Sequence, residues 1–577
     1  MSTVSKVMGG VIKTSTFLIW ITHIVVCSYM ANLLMPGRQI ITTKFQEEYL
    51  KDICRTPISQ LDLYGDFVGN EGEVIDEVIF AITSANKSNS RYNPLPLADR
   101  AIGVDRFMRP FYDFLDVSYD IAEIPHYQPT DKFAQHVISH CNLQLEGNKI
   151  TPENTIVFSS TESVVELFRD CGYAMACGEW DPKKGVYTNK PPRDILDDFM
   201  ESGREWFEES GENYLSEAHY NFWQQVPRVP EEIIRIANEP LLTEEGSITE
   251  TRSYSDYLRG MANSDILDVK YNDVKDAIVS GRIVDEGCAD GALLERVSDD
   301  FPDSDLIGIE ITSDFKARFE ERIRAGVFGG TFVDVYQRNI MDPVFEDNSI
   351  DTVLCNSTTH EIYSYGDGED SLYKYLQMKY DQLKPGGRLV IRDVVGPEDS
   401  GRNIAAKLRA DNGKSNDPNK VFAEDERKEY AAYLKDLSTR GRFERFAREY
   451  LHQRDDYSFE YTTERHEREE YIIASYKDMT EFLTKKDYTD NWYSELQEEF
   501  AFWDITDWRK AAEAAGFAVV ADTPNQAGTR VYQSDWIVEN RWEDTLTLFA
   551  VNENGKPKEQ IAYPPTNIVL VAEKQIN

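Results

Sequence analysis

The sequence predicts an α/β protein of more than one domain, and three observations carry that expectation. The chain is too long for a single core, short apolar runs alternate with helix-like stretches, and one apolar run at 282–286 leads through a glycine-rich turn into an amphipathic segment. At 577 residues, and with roughly 150 residues per domain, two or three domains are expected. With 41% hydrophobic and 12% aromatic residues there is ample apolar surface to bury, so global disorder is excluded despite the charge.

The formal net charge of -40 argues against general affinity for nucleic-acid phosphates and ranks small-molecule or protein substrates above RNA and DNA. Solvation of the surface by carboxylates accounts for the charge equally well. The cysteines (Cys27, Cys54, Cys141, Cys171, Cys177, Cys288, Cys355) form no CxxC pair. Neither a zinc site nor a disulfide framework is indicated, and a reducing, cytoplasmic setting fits. The histidines show no HxH or HExxH arrangement, so no metal is expected.

One segment opposes that localisation. Residues Phe17–Met35 are nearly long and apolar enough to cross a bilayer, which allows membrane association. His23 and Asn32 within it, and Lys13 and Arg38 on its flanks, count against a span. The alternative is a buried strand, Phe17–Ile21, running into a buried helix that ends at Pro36-Gly37.

Residues 1–240 read as an N-terminal α/β domain of unknown function. Its clearest unit is Asn154–Trp180, where the strand TIVFSS precedes a helix ended by Gly172 and a second strand, Ala174–Cys177. No catalytic signature stands out. Gly9-Gly10-Val-Ile-Lys13-Thr14 lacks the spacing of a triphosphate-binding loop. Residues 181–250, rich in charge, Trp and Pro, read as a connector.

The chemistry lies further on. Arg282-Ile-Val-Asp-Glu-Gly-Cys-Ala-Asp-Gly291 gives a strand ending in an acid and then small residues at Gly287, Ala289 and Gly291. Small residues let the backbone approach a ligand while the next helix aims its amides at it. The following strand ends in Glu310, 25 residues after Asp285, as a ribose diol requires of its acceptor. Then come Asn339-Ile340-Met341-Asp342, a strand ending Cys355-Asn-Ser-Thr-Thr-His360-Glu361, and Leu383-Lys-Pro-Gly-Gly-Arg-Leu-Val-Ile-Arg-Asp393. A helix stopped at Gly516-Phe517 and a late strand at Thr566–Ala572 complete the series.

In these elements the segment from about Tyr254 to Lys574 resembles the class I S-adenosylmethionine-dependent methyltransferases. The resemblance implies a Rossmann-like seven-stranded methyltransferase sheet and S-adenosylmethionine as cofactor. It implies that Asp285, Gly287, Ala289, Gly291 and Glu310 form the cofactor site, and that Asn339 takes the place of the usual adenine-binding Asp. Ile340 or Met341 would pack on the adenine, and Asp342 is a second adenine partner to consider. At the carboxyl edge of the sheet, His360 would act as a general base oriented by Glu361. Alternatively, His360 caps a helix or packs over the cofactor.

The expected organisation is therefore an N-terminal domain to residue 240, a methyltransferase core at 241–398, a helical, lid-like insertion at 399–504, and the rest of the methyltransferase fold at 505–577. The insertion's arginines, Arg440, Arg442, Arg445 and Arg448, form either an anion-binding patch or internal ion pairs. Methyl transfer to an unidentified small molecule is the leading expectation. A cofactor sensor or scaffold with an inactive methyltransferase fold, and a bifunctional enzyme with a second activity in the N-terminal domain, are its rivals.

Overall fold

The computed structural model describes residues 31–127, 129–145, 149–239, 264–423, 426–451 and 457–576. The chain divides into two compact units, Met1–Gly246 and Ser247–Asn577.

In the first unit, strand β1 (Ala31–Gly37) leads to helix α1 (Lys44–Ile53), and β2 (Ile75–Ile82) to α2 (Leu97–Leu115). The alternation continues with β3 (Ser118–Glu123), α3 (Phe133–Gln144), β4 (Thr155–Phe158), α4 (Glu162–Asp170) and β5 (Ala174–Ala176). The five strands form one parallel sheet in the order β3-β2-β1-β4-β5. Both faces are covered: Leu33 and Met35 of β1 enter one core, and Leu34 enters the other.

That double burial explains two departures from the expected pattern. Residues 17–30 lie outside the described part, and the helix expected to end at Pro36-Gly37 is instead strand β1. A central parallel strand reads as a continuous apolar run, which periodicity alone cannot tell from a buried helix. Among the described residues, no helix is long and apolar enough to cross a membrane. The stretch read as a connector holds α5 (Pro192–Tyr214), α6 (Glu217–Gln225) and α7 (Arg228–Ala237), which share a core of Phe199, Trp223 and Ile233.

The second unit opens with α8 (Ser264–Val274), β6 (Arg282–Glu286), α9 (Ala292–Asp300), β7 (Asp305–Glu310), α10 (Ser313–Arg324) and β8 (Phe332–Gln337). Next come β9 (Ile350–Asn356), α11 (Thr359–Tyr365), α12 (Glu369–Gln382) and β10 (Leu383–Asp393). An excursion then adds β11 (Asn403–Leu408), α13 (Arg427–Asp436), α14 (Thr439–Glu449), β12 (Tyr461–His466), β13 (Glu469–Ser475) and α15 (Tyr476–Lys485). The chain returns through α16 (Ile505–Ala514), β14 (Ala518–Val519) and β15 (Arg530–Tyr532), leaves again for β16 (Leu546–Val551) and β17 (Pro557–Gln560), and ends in β18 (Asn567–Glu573).

The main sheet runs β8-β7-β6-β9-β10-β18-β14, with β15 also paired to β18. Eight strands stand where seven were expected, because two short segments, β14 and β15, share the outer edge of β18. The first five are parallel, and β18 enters antiparallel against β10. Leu354 and Val390 are fully buried in it, each contributing roughly 1.5–3 kcal/mol through removal of its side chain from water.

The insertion is not purely helical and does not end at residue 504. Its strands join the β16–β17 hairpin in a five-stranded antiparallel sheet, β12-β13-β11-β16-β17, around Phe443, Phe446, Phe482, Trp492 and Trp542. The β12–β13 turn puts Glu467 and Arg468 at φ 50° and 73°. Hairpin turns of this kind normally advertise themselves by Asn or Gly. Two charged residues there hide the hairpin inside what reads as a polar helical stretch.

Helix α12 is fastened to the sheet by an ion pair between Lys379 and Glu286, both about 2% exposed in their side chains. Tyr375 donates a second hydrogen bond to Glu286, at 2.6 Å. Substituting Lys379→Met strands the buried carboxylate and should lower the unfolding free energy by roughly 3–5 kcal/mol. Urea denaturation measures the loss, and adding Glu286→Gln should recover most of it.

Candidate functional site

Three parallel strands of the main sheet carry a carboxylate at or next to their carboxyl ends on the same edge: Asp285 one residue before the end of β6, Glu310 at the end of the adjacent β7, and Asp393 at the end of β10, two strands from β6. Asp285 is 2% exposed, and its carboxylate receives no hydrogen bond among the described residues. Burial first, then the neighbouring Glu286 and Glu310, push its carboxyl up to about 8, against the opposing pull of Lys270.

After β6 the chain turns through Gly287, Ala289 and Gly291, at φ 72°, 48° and 78°. Left-handed backbone of this kind favours glycine, so Ala289 carries strain that its neighbours avoid. A Cβ on Gly287 would lie 2.6 Å from Thr358 Oγ1, and one on Gly291 would lie 2.5 Å from the Phe319 ring. Close packing therefore enforces both glycines before any ligand is considered.

Glu310 ties this turn to the next helix. One carboxylate oxygen accepts the Ala289 N–H at 3.0 Å, and the other accepts the Thr312 N–H and hydroxyl at 2.9 and 3.0 Å. Thr312 in turn caps α10 by accepting from Phe315 N–H. Glu310 is 6% exposed; the oxygen that serves Thr312 has both lone pairs engaged, and the one that serves Ala289 retains one for a further donor. Its burial, opposed by the Thr312 and Ala289 hydrogen bonds, raises its pKa, and Glu361 adds to the rise.

Asp393, fully buried, accepts N–H groups of Thr359, His360 and Val394 and the Thr359 hydroxyl. It caps α11 from outside that helix, and its second oxygen lies 2.8 Å from His360 Nδ1. Burial opposes its charge, yet His360, Thr359 and Val394 together hold it down to about 2. For His360, burial disfavours the cation, but Asp393, Glu498 and Glu361 overcome this and raise it to about 9. The other ring nitrogen faces Glu498 at 3.5 Å, and Phe500 packs edge-on against the ring. Glu498 and Phe500 belong to the inserted excursion, whose approach is fixed where Glu481 accepts Phe500 and Ala501 N–H at 2.9 and 2.7 Å.

Residues 284–391, from β6 to β10, match the family model described as a methyltransferase domain. A methyltransferase domain thus lies within the C-terminal half.

No curated protein matches the chain. Among solved structures, a geranyl diphosphate methyltransferase determined with GPP and sinefungin is 18% identical, with a TM-score of 0.19. The match covers 23% of this chain and 46% of that one, so the chain spans under half the length of that relative. A geranyl diphosphate C-methyltransferase from Streptomyces coelicolor is 9% identical over 58% of this chain and 89% of its own, with a TM-score of 0.27. An S-adenosylmethionine-dependent methyltransferase from Clostridium acetobutylicum is 12% identical over 56% and 100%, with a TM-score of 0.28.

Within the methyltransferase domain, Asp285, Gly287, Ala289, Gly291 and Glu310 come together around one turn. Asn339 follows β8, and its side-chain carbonyl accepts the Met341 N–H at 2.9 Å, so that oxygen already serves the local turn. Ile340 packs at the margin of the main core. His360 sits on this edge beside Glu361, but its imidazole is oriented by Asp393 rather than by Glu361. Asp393 and Glu498 were missed in the sequence. Asp393 had a legible signal, an acid closing an apolar strand as at Asp285 and Glu310, whereas Glu498 lies in a stretch with no periodicity to place it.

The strained alanine and the raised histidine each have a measurable consequence. Ala289→Gly should stabilise the protein by about 1 kcal/mol by relieving left-handed strain, seen as a higher melting temperature. His360's contribution to stability is complete below its unfolded pKa of 6.5 and is lost as pH rises through about 9. The unfolding free energy should fall across that window more steeply in the wild type than in His360→Gln, as followed by urea titrations at stepped pH.

Proposed function

We propose that the C-terminal half transfers the methyl group of S-adenosylmethionine to a proton-bearing heteroatom of a small molecule placed at the His360 edge. The observation that carries this reading is the shared edge of Asp285, Glu310 and the Asp393–His360 pair.

The residues present fit the cofactor. Asp285 offers a buried carboxylate with no hydrogen bond from the described protein, suited to the cationic methionyl end. Glu310 offers a fixed carboxylate with one lone pair open, on the oxygen that holds Ala289, suited to a ribose hydroxyl. Asn339, its carbonyl engaged by the Met341 N–H, stands after β8 on the adenine side, and Ile340 supplies apolar surface there. When bound, S-adenosylmethionine supplies an electrophilic methyl group, so the protein's task is chiefly to position the acceptor.

His360 and Asp393 hold one proton at Nδ1, and Glu498 faces Nε2. With the histidine raised to about 9, the ring is an imidazolium at neutral pH. In this reading it acts as a donor that orients the acceptor rather than as the base first expected, and Glu498 is the group that receives the acceptor's proton. A cleft of about 570 Å³ opens just beyond β10, lined in part by Gly396, Arg402, Tyr476, Tyr532 and Tyr563. Its aromatic and polar walls suit the body of a small acceptor.

The strained Ala289 and the engaged Asn339 carbonyl favour one rival, a domain that binds the cofactor without turning it over. Incubating the full-length protein with methyl-labelled S-adenosylmethionine and a small-molecule cell extract separates the two. Labelled product is expected, with Glu310→Gln weakening cofactor binding by roughly tenfold or more. Asp393→Asn should leave binding intact while slowing transfer by about a hundredfold. Cofactor affinity unchanged in Glu310→Gln would refute the site, and binding without product would make the domain a sensor.

A further inference from the structure

The first unit has a carboxyl edge of its own, whose groups are not among those assigned to the cofactor or acceptor above. Its sheet order places a topological switch point between β1 and β4, the position at which open parallel sheets take ligands. Past the ends of β1 and β2, Gln39, Ser84 and Asn89 all adopt left-handed backbone, at φ 53°, 52° and 52°. Strain of this kind in residues other than glycine concentrates at binding sites.

Three arginines converge on these loops. Arg100, 1% exposed, donates to the carbonyls of Arg38, Thr83, Ser84 and Lys87, which locks both loops around its guanidinium. Its Nε is buried without a partner. Arg38 and Arg193 both lie against the ring of Tyr92, at 5.0 and 5.3 Å from its centre. Arg193 has Asp197 as a partner one turn along its helix, at 2.8 Å. Arg38 donates to the carbonyl of Tyr92 and faces no carboxylate among the described residues.

Among the described residues, Arg38 and Arg100 therefore face no carboxylate, whereas Arg193 keeps Asp197. Burial and then Arg193 lower the pKa of Arg38, and burial and then Arg38 bring Arg100 down to about 10. This is unusual in a chain with a net charge of -40. The arginines of the second unit show what the chain does elsewhere: Arg440, Arg442, Arg445 and Arg448 each pair with a carboxylate. The anion-binding patch once expected there is thus internally neutralised, and the open cationic cluster lies in the other unit.

The remaining features of the edge direct the ligand to the arginines. The N-terminus of α1 is closed by the Thr43–Gln46 capping box, so its amides are already used. On the β4–β5 side, the fully buried Glu179 accepts from the Ser160 hydroxyl and would repel an anion.

We propose that the N-terminal unit binds a phosphorylated small molecule at the carboxyl ends of β1 and β2, with Arg38 and Arg193 as its phosphate ligands and Arg100 as the residue that positions their loop. Guanidinium groups pair with phosphate in a forked geometry, and the partial burial of Arg38, with no carboxylate beside it among the described residues, strengthens that pairing.

The test uses the full-length protein with S-adenosylmethionine held in saturating excess, so that the adenosine site of the other unit is filled. Titration calorimetry with ATP and, separately, with inorganic triphosphate should show binding, weakened at least tenfold in both Arg38→Gln and Arg193→Gln. Equal affinity for the two probes assigns recognition to the phosphates alone, and tighter ATP binding adds a nucleoside contact. Arg409→Gln, in the inserted excursion, should bind like the wild type. Unaltered S-adenosylmethionine affinity in each variant shows that the chain is folded. No binding of either probe by the wild type, or equal binding by Arg38→Gln, would overturn the proposal without touching the methyltransferase reading.

Discussion

The methyltransferase domain is organised by the carboxylate of Asp393. Four donors from the start of α11 and the turn after β10 converge on it, and the His360 ring completes the set. A buried charge is tolerable only when its lone pairs are answered, and this one is answered by the ends of two elements at once. The same contact fixes where α11 begins, which way the imidazole faces, and how the chain leaves the main sheet for the inserted one. Loss of that carboxylate would release all three together.

Against this anchor, the cofactor turn is held less economically. Glu310 hydrogen-bonds the turn from the side, and Gly287 and Gly291 are demanded by Thr358 and Phe319. Asp285 and Glu286, adjacent in sequence, divide their labour by facing opposite ways along β6. Glu286 is neutralised by Lys379 and Tyr375 beneath the sheet, whereas Asp285 is left with a carboxyl that burial keeps near neutrality. One serves stability, and the other keeps a carboxyl that receives no hydrogen bond among the described residues.

Much of the second unit was legible in the sequence. The acid-ended strands, the small residues at 287, 289 and 291, and the Pro385-Gly386-Gly387 approach to β10 are local signals with local causes. What escaped depends on contacts between residues far apart in the chain. Asp393 and His360 are oriented by each other, the β12–β13 hairpin turns through charged residues, and β11 finds its partners in β13 and β16. In the first unit, β1 resembled a helix because both of its faces are buried, and α5 to α7 resembled a connector because their aromatic residues share a core with distant loop residues such as Ile40, Ile41 and Leu95. The arginine edge was hidden for the same reason, since Arg38, Arg100 and Arg193 are widely separated until the sheet forms.

The inserted sheet is stitched from two separate stretches of chain, with segments of the main sheet between them. Its central pairing joins Ala405 to Phe549, so β11 must wait for most of the remaining polypeptide before its edge is covered. During synthesis that strand leaves the ribosome long before its partner, and closing so large a loop is intrinsically slow. The region that covers His360 is consequently among the last to be completed, and a nascent or C-terminally shortened chain would expose an unpaired β-edge beside an unfinished active site.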